Sequence, residues 1–168
     1  KLVLESAQKL KNCSVDCLVL CANTLHQYVE TLEKEIGISV VHIADATADE
    51  IKKKGLKKIG LLGTRFTMEM DFYTKRLEQS GIGSLVPQKS DREFIHNAIM
   101  NELLKEEFKK ETKKKFLAII KELETKGAQG IVLGCTEIPL LIKQEDVHLP
   151  VFNTLEIHAK AAVDFALS

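Results

Sequence analysis

A single cysteine stands where a predicted strand gives way to a predicted helix, in the segment GIVLGCTEIPLL (130–141). Residues 131–133 are aliphatic and typical of a buried strand, and Pro139 is typical of the first turn of a helix. Cys135 is therefore expected at a helix N-terminus, where unpaired N–H groups and aligned peptide dipoles favour a thiolate. A thiolate there could be a base or a nucleophile at neutral pH. The alternative is a buried cysteine that packs as a small hydrophobic side chain.

A second loop repeats the pattern of the first. Aligning CLVLCANT (17–24) with GIVLGCTE (130–137) places Ala22, not Cys21, opposite Cys135. Two thiols facing each other across a small ligand could remove a proton from one face of a carbon and deliver one to the other face. Such a pair inverts an α-carbon without a cofactor, provided that donors at helix N-termini hold the carboxylate. The pair of loops therefore indicates a racemase site.

The other three cysteines follow a regular spacing, Cys13-x3-Cys17-x3-Cys21. Zinc and iron–sulfur sites favour tighter C-x2-C pairs in loops, whereas these cysteines flank an apolar run. We therefore predict no metal site and free thiols rather than disulfides.

Strand and helix patterns alternate along the chain, which predicts an α/β fold with parallel strands and right-handed helical crossovers. Strands are expected at 15–21, 39–43, 58–63, 83–86, 131–133 and near Val151. Helices are expected at 1–12, 24–36, 45–54, 67–80, 91–104, 108–126, after Cys135, and at 154–167. Ligands of such sheets bind beyond the carboxyl ends of the strands. The loops at those ends are LCANT (20–24), LGTRFT (62–67), LGCTE (133–137) and FNT (152–154), all rich in small, polar or thiol side chains.

The composition excludes several classes of partner. Lys plus Arg (24) balances Asp plus Glu (24), so no net charge attracts nucleic acid or an anionic membrane. No apolar run approaches the ~18 residues that cross a bilayer, and no signal peptide opens the chain. We predict a cytoplasmic protein with a small-molecule substrate, no nucleic-acid partner and no membrane contact.

At these loops the sequence resembles the aspartate/glutamate racemase family of cofactor-independent amino-acid racemases. The matching motifs are CANTLH (21–26), GLLGTRFTMEMDFY (60–73), GIVLGCTEIPLL (130–141) and LPVFNTLEIHAKAAVDF (149–165). The resemblance implies two pseudo-symmetric lobes with parallel sheets and flanking helices, a site in the cleft, neither pyridoxal phosphate nor metal, and a homodimer. In family terms, residues 1–44 with 151–168 form the first lobe and residues 45–150 form the second.

Two features depart from the family pattern. The family's opening strand, glycine-rich loop and helix have no counterpart before Lys1, so we expect an N-terminally truncated member with an incomplete first lobe. The first loop reads Cys-x-Asn-Thr, as in a subgroup of the family, so Ala22 directly precedes Asn23. Either Cys21 reaches the cleft through a backbone shift, or water or Thr24 substitutes, or the protein works from one face only.

The candidate site residues combine both lines of reasoning. Cys135 and Cys21 are the candidate catalytic thiols. Substrate-binding candidates are Asn23, Thr24, Thr64, Thr136, Glu137, Lys105 and His158. Asn and Thr at these positions are equally suited to cap the following helices, and a first-turn acid suits the helix dipole. Lys105 could be a solvated lysine, and His158 a partly buried structural histidine.

We therefore predict a racemase that acts on aspartate, glutamate or a related small amino acid by removing and returning the α-proton with a thiol. The alternative is an impaired family member or fragment that binds a small carboxylate without turnover.

Overall fold

The computed structural model describes residues 1–168 and has the α/β architecture that the alternating pattern predicts. Its strands are β1 (Cys17–Leu18), β2 (Ser39–Val40), β3 (Lys58–Gly63), β4 (Gly83–Leu85), β5 (Ile131–Gly134) and β6 (Val151–Asn153). Its helices are α1 (Leu2–Lys11), α2 (Val29–Ile36), α3 (Ile43–Lys53), α4 (Arg65–Glu69), α5 (Asp71–Gln79), α6 (Lys89–Asn101), α7 (Lys110–Thr125), α8 (Ile138–Leu141) and α9 (Thr154–Ala166). Short 3₁₀ turns cover Asn23–Tyr28, Leu103–Lys105 and Gln144–Asp146.

The larger sheet has the order β4-β3-β5-β6, and all of its strands are parallel. Alternate side chains of a strand point to opposite faces, so the central strands contribute side chains to two hydrophobic cores, one on each face of the sheet. Leu61 packs with α3 and α5 on one face, whereas Leu62 packs with α6 and α7 on the other. The register pairs Gly63 with Gly134, so β3 and β5 end side by side.

The smaller sheet contains only β1 and β2, which pair in parallel over two residues. Its core is a separate cluster in which Leu18 packs against α1 and α2. The expected strand 15–21 is therefore shorter than predicted, because its pairing with β2 ends at Leu18 and Val19 is 41% exposed. Two sheets with separate cores give the molecule its two lobes, and the first lobe is the smaller.

The chain after residue 150 differs from the expected division into lobes. Val151 pairs with Ile131, so β6 belongs to the larger sheet, although residues 151–168 were predicted to complete the first lobe. α9 packs along α3, and its His158 is hydrogen-bonded to the Val41 carbonyl of the first lobe at 2.7 Å. The closing helix therefore bridges the two lobes.

The helix expected at 67–80 is two helices. Met70 has an extended backbone (φ −85°, ψ 148°) and separates α4 from α5. Met68 of α4 is buried in the core on one face of the sheet, whereas Tyr73 of α5 is buried in the core on the other. The break lets the chain pass from one face to the other. No helix has both the length and the apolar character needed to span a membrane.

Candidate active site

A cavity of about 180 Å³ lies between the lobes, at the carboxyl ends of β3 and β5. It is lined by the first-lobe loop, the loops that follow the two strands, and one face of α6 with the turn after it. The lining residues are Ala22, Asn23, Thr24, Thr64, Thr67, Ile99, Met100, Leu104, Gly134, Cys135, Thr136 and Glu137. A site at this edge of a parallel sheet agrees with the general rule for open α/β folds.

Glycines allow the two strand ends to approach closely. A Cβ atom at Gly63 would lie 2.9 Å from the Gly134 carbonyl oxygen, and one at Gly134 would lie 2.9 Å from the Leu62 carbonyl oxygen. Neither position has room for a side chain. The next residues along each strand, Thr64 and Cys135, are consequently brought to the same cavity.

Cys135 is buried, with 9% of its surface exposed, and its thiol is hydrogen-bonded to a carboxylate. Its Sγ donates to Glu137 Oε2 at 2.9 Å, while Thr136 Oγ1 donates to the other oxygen, Oε1, at 2.8 Å. Burial, and after it the Glu137 carboxylate, raise the pKa of the Cys135 thiol to about 12. The thiol is therefore protonated at neutral pH.

The expectation of a thiolate at a helix N-terminus is wrong for this arrangement. α8 begins only at Ile138 and has four residues, so its dipole is small. Backbone N–H groups of Thr136 and Glu137 do favour the charged sulfur, but burial and the adjacent carboxylate outweigh them in the pKa of Cys135. The thiol and the carboxylate form a hydrogen-bonded pair rather than a free thiolate.

The first-lobe loop enters the cavity through Ala22, Asn23 and Thr24. The Asn23 side chain is buried, and its Nδ2 donates to Thr154 Oγ1 at 3.1 Å. The Ala22 carbonyl is held by His26 Nδ1 at 3.0 Å. The first contact ties the loop to α9, and the second lies within the loop and the 3₁₀ turn that follows it.

Thr64 lines the cavity at the end of β3 and also caps α4. Its Oγ1 accepts from the Thr67 backbone N–H at 3.5 Å and lies 3.3 Å from Thr67 Oγ1. Thr64 thus combines helix capping with cavity lining, two roles that are compatible in one side chain.

The structure brings six of the nine predicted site residues to the cavity: Asn23, Thr24, Thr64, Cys135, Thr136 and Glu137. The other three lie elsewhere. Cys21 is exposed and its Sγ is 4.0 Å from the Val19 carbonyl, so Ala22 and not Cys21 faces the cavity. Lys105 is exposed, and its neighbour Leu104 lines the cavity instead.

The third of these residues, His158, is buried behind the first-lobe loop. Its ring lies 5.1 Å from that of His26, which in turn lies 4.9 Å from His42. The three imidazoles form a cluster between α9, the start of α3 and the 3₁₀ turn that follows Ala22. His158 is thus part of the joint between the lobes and does not line the cavity.

Sequence reasoning did not single out four lining residues, Thr67, Ile99, Met100 and Leu104. Thr67 stands in the quoted loop LGTRFT and could have been included on that basis. The other three follow the ordinary apolar pattern of a helix and its end, so nothing in their types or spacing distinguishes them from core residues. They supply the apolar wall of the cavity.

Fold and site together define a two-lobed α/β protein with a single thiol in an interlobe cavity at the strand ends. The chain belongs to the Asp/Glu/Hydantoin racemase family, which it matches over residues 1–162. The resemblance stated from the sequence motifs is thereby confirmed.

Solved structures and relatives support the assignment. A Yersinia pestis protein proposed to be an Asp/Glu racemase has a TM-score of 0.94 and 44% identity, over 99% of this chain and 73% of its own. An aspartate racemase homologue from Pyrococcus horikoshii OT3 has a TM-score of 0.89 and 36% identity, over 99% and 74%. A glutamate racemase of Aquifex pyrophilus is 36% identical over 143 residues, which cover 84% of this chain but 54% of that protein. The chain thus spans between about half and three quarters of the length of these proteins.

Proposed function

We propose that the protein is an amino-acid racemase that needs neither pyridoxal phosphate nor a metal, and that acts on aspartate, glutamate or a related small amino acid. The observation that carries the proposal is the Cys135 thiol in the interlobe cavity, 2.9 Å from the Glu137 carboxylate. Family membership supports the same reaction class. A homodimer and a cytoplasmic location remain predictions from the sequence.

Glu137 gives the buried thiol a route to its reactive form. A substrate ammonium beside the sulfur would stabilise the thiolate and so lower the pKa of Cys135, while Glu137 stays free to accept the proton. The Cys135 proton passes to Glu137 Oε2, and the thiolate then takes the proton from the substrate α-carbon. The C–H electron pair becomes the enediolate of the substrate carboxylate.

The developing enediolate charge requires hydrogen-bond donors around the carboxylate. Asn23, Thr24 and Thr64 line the cavity and are the proposed groups, together with backbone N–H groups of the same loops. Thr136 can join them only when its hydroxyl turns away from Glu137. Lys105 and His158 lie outside the cavity, so we assign them no part in substrate binding.

The return of a proton to the opposite face is the open step. Ala22 lines the cavity at the position that the internal alignment pairs with Cys135, and a methyl group cannot transfer a proton. Water or Thr24 would have to act there, or Cys21 would have to enter through a backbone shift. With a single thiol, we expect exchange of the α-proton to be faster than inversion.

The same observation favours a second function. A cavity with one thiol and no acid–base partner at Ala22 also suits an impaired family member that binds a small carboxylate without turnover.

The two functions differ in solvent deuterium exchange. Aspartate, glutamate and neutral amino acids are incubated with the protein in D₂O, and α-deuterium and chirality are followed in parallel. We expect exchange that is abolished in Cys135→Ser and retained in Cys13→Ser, because Cys13 is exposed at the end of α1 and outside the cavity. Ala22→Cys should raise inversion relative to exchange by on the order of 10²-fold, the lower range for an added acid–base group.

Each outcome selects one function. Tight binding without exchange would support the binding protein. Absence of both exchange and inversion in the parent protein and in Ala22→Cys would contradict the racemase proposal.

A further inference from the structure

We infer that Thr154 is a positioning residue that holds the loop containing Asn23 against β5, the strand that ends just before Cys135. Its predicted effect on turnover rests on the proposed function, whereas its effect on the access to Cys135 does not. Thr154 begins α9, is completely buried, and does not line the cavity. It therefore acts through Asn23 and not on a substrate.

The chemistry of the three groups fixes the direction of their hydrogen bonds. Thr154 Oγ1 lies 2.8 Å from the Leu133 carbonyl oxygen, which can only accept, so the hydroxyl proton points to Leu133. The hydroxyl oxygen must then accept at its other contact, from Asn23 at 3.1 Å. Only the amide nitrogen of Asn23 can donate there, so the Thr154 hydroxyl selects one orientation of the Asn23 amide.

This pair of bonds connects the two walls of the cavity. Leu133 lies two residues before Cys135 on β5, and Asn23 lies between Ala22 and Thr24 in the first-lobe loop. One buried hydroxyl thus links the loop to β5. An unmade bond at a site as buried as this one is costly, which keeps the linkage closed.

Few other bonds could hold the loop in place. Two hydrogen bonds join residues 1–41 to the rest of the chain, from Asn23 to Thr154 and between His158 and Val41, and both involve α9. Of these two, only the bond at Thr154 reaches the cavity lining. Loss of the Thr154 hydroxyl should therefore release the loop without removing any group that lines the cavity.

The test compares Thr154→Val, which keeps the shape but loses both bonds, with Thr154→Ser, which keeps the hydroxyl. Alkylation of each cysteine by iodoacetamide is followed by peptide mass spectrometry at fixed pH. We expect Cys135 in Thr154→Val to react about tenfold faster, as for one lost buried linkage, and Thr154→Ser to restore the slow rate. Exposed Cys13 serves as the internal reference and should not change.

The matched control is Thr47→Val. Thr47 is also fully buried, donates to the Ile43 carbonyl at 2.7 Å and accepts from Tyr73 Oη at 3.2 Å, but it lies outside the cavity. It should leave Cys135 alkylation unchanged. Two results would overturn the inference. If Thr47→Val accelerates Cys135 alkylation as much as Thr154→Val does, the effect is a general loosening of the fold. If Thr154→Val does not accelerate it, the linkage does not limit access to Cys135.

Two further measurements separate a positioning role from a structural one. In an Asn23→Ala background, Thr154→Val should add no further acceleration, because both changes remove the same linkage; an additive effect would overturn the inference. Should Thr154→Val not fold, Asn23→Ala tests the linkage from the other partner, and unchanged Cys135 alkylation there would overturn it.

In deuterium exchange, Thr154→Val should raise KM severalfold more than it lowers kcat, and Thr154→Ser should reverse this. If neither the parent protein nor Ala22→Cys shows exchange or inversion, the proposed function fails while the alkylation comparison still decides the role of Thr154.

Discussion

The thiol at the centre of the site is neutral in the free protein. Cys135 donates to Glu137 at 2.9 Å, and burial with the adjacent carboxylate raises the pKa of the Cys135 thiol to about 12. A neutral thiol is a poor base and a slow nucleophile, since the thiolate is the reactive species. After burial, the negative charge of Glu137 is the second factor that keeps the sulfur in its unreactive, protonated form.

Replacing the carboxylate should make the resting thiol more reactive. In Glu137→Gln the negative charge is lost, so we expect the pKa of Cys135 to fall below about 12 while burial still holds it above the ordinary value. The measurement is the rate of Cys135 alkylation between about pH 8 and about pH 10. The rate should rise severalfold at each pH.

Glu145→Gln is the control for that prediction, because Glu145 is exposed and does not line the Cys135 cavity. It should leave the alkylation profile of Cys135 unchanged. An unchanged profile in Glu137→Gln as well would mean that the carboxylate does not set the reactivity of the sulfur.

At the residue scale, the motifs predicted which polar groups lie at the strand ends, whereas the catalytic and binding roles of these groups stay predictions. Thr64 and Cys135 follow β3 and β5, which end side by side in the larger sheet, and Asn23 follows the first-lobe strand and meets them across the cavity. The protonation state of Cys135 was not predictable in the same way. It depends on how deeply the sulfur is buried and on the rotamer of Glu137, and the spacing of the residues predicts neither.

At the scale of elements, the site depends on how closely β3 and β5 approach. Gly63 pairs with Gly134, and a Cβ at Gly134 would lie 2.9 Å from a backbone oxygen of β3. Backbone atoms in the middle of a sheet cannot move aside as a flexible side chain can. The glycine just before Cys135 is thus required by space and not by an unusual backbone angle.

Adding one methyl group at this point should strain the sheet. We expect Gly134→Ala to lower the free energy of unfolding by about 1–3 kcal/mol, the usual range for overpacking a filled site. Denaturant titration measures the loss. Gly83→Ala is the matched control within a strand, since the nearest atom to a Cβ there is 3.7 Å away and its stability should change little. Equal stability of the two variants would contradict the close approach.

The predictability of the elements followed the strength of their local signals. β3 was predicted with the bounds that it has, Lys58–Gly63, because a compact aliphatic run ends in glycine. The break at Met70 was missed, since no glycine or proline marks it and its cause is the passage between two cores. The membership of β6 in the larger sheet was also missed, because the local sequence of a strand does not indicate which strand it pairs with.

At the scale of the whole molecule, the two lobes meet at a buried cluster of imidazoles. Burial lowers the pKa of His26 to about 4 and that of His42 to about 3. His42 also caps α3 by accepting from the Ala44 N–H at 3.1 Å, which requires a neutral ring nitrogen. The groups facing His26 are His42 and His158, and the charged residues around the adjoining surface are Glu30, Asp71, Lys75 and Arg76. A proton on His26 or His42 is disfavoured chiefly because burial removes the charged ring from water.

The cluster should make the protein sensitive to mild acid. His26 has a folded-state pKa of about 4 and an unfolded value of 6.5, so the unfolded chain binds the proton first as the pH falls. Its contribution to stability is present above pH 6.5 and is lost between that pH and about 4. For His26 alone the loss between about pH 7.5 and about pH 4.5 is roughly 2 to 3 kcal/mol. Urea titrations at the two pH values measure it.

The variant His26→Gln tests whether this residue is the source of the loss. Glutamine can keep a hydrogen bond to the Ala22 carbonyl but cannot take up a proton, so the difference in unfolding free energy between the two pH values should shrink by the His26 share. His148→Gln is the control, because His148 is exposed and outside the cluster. It should keep the full acid sensitivity of the parent. If His26→Gln also keeps the full acid sensitivity, protonation of His26 is not its source, and other groups must cause it.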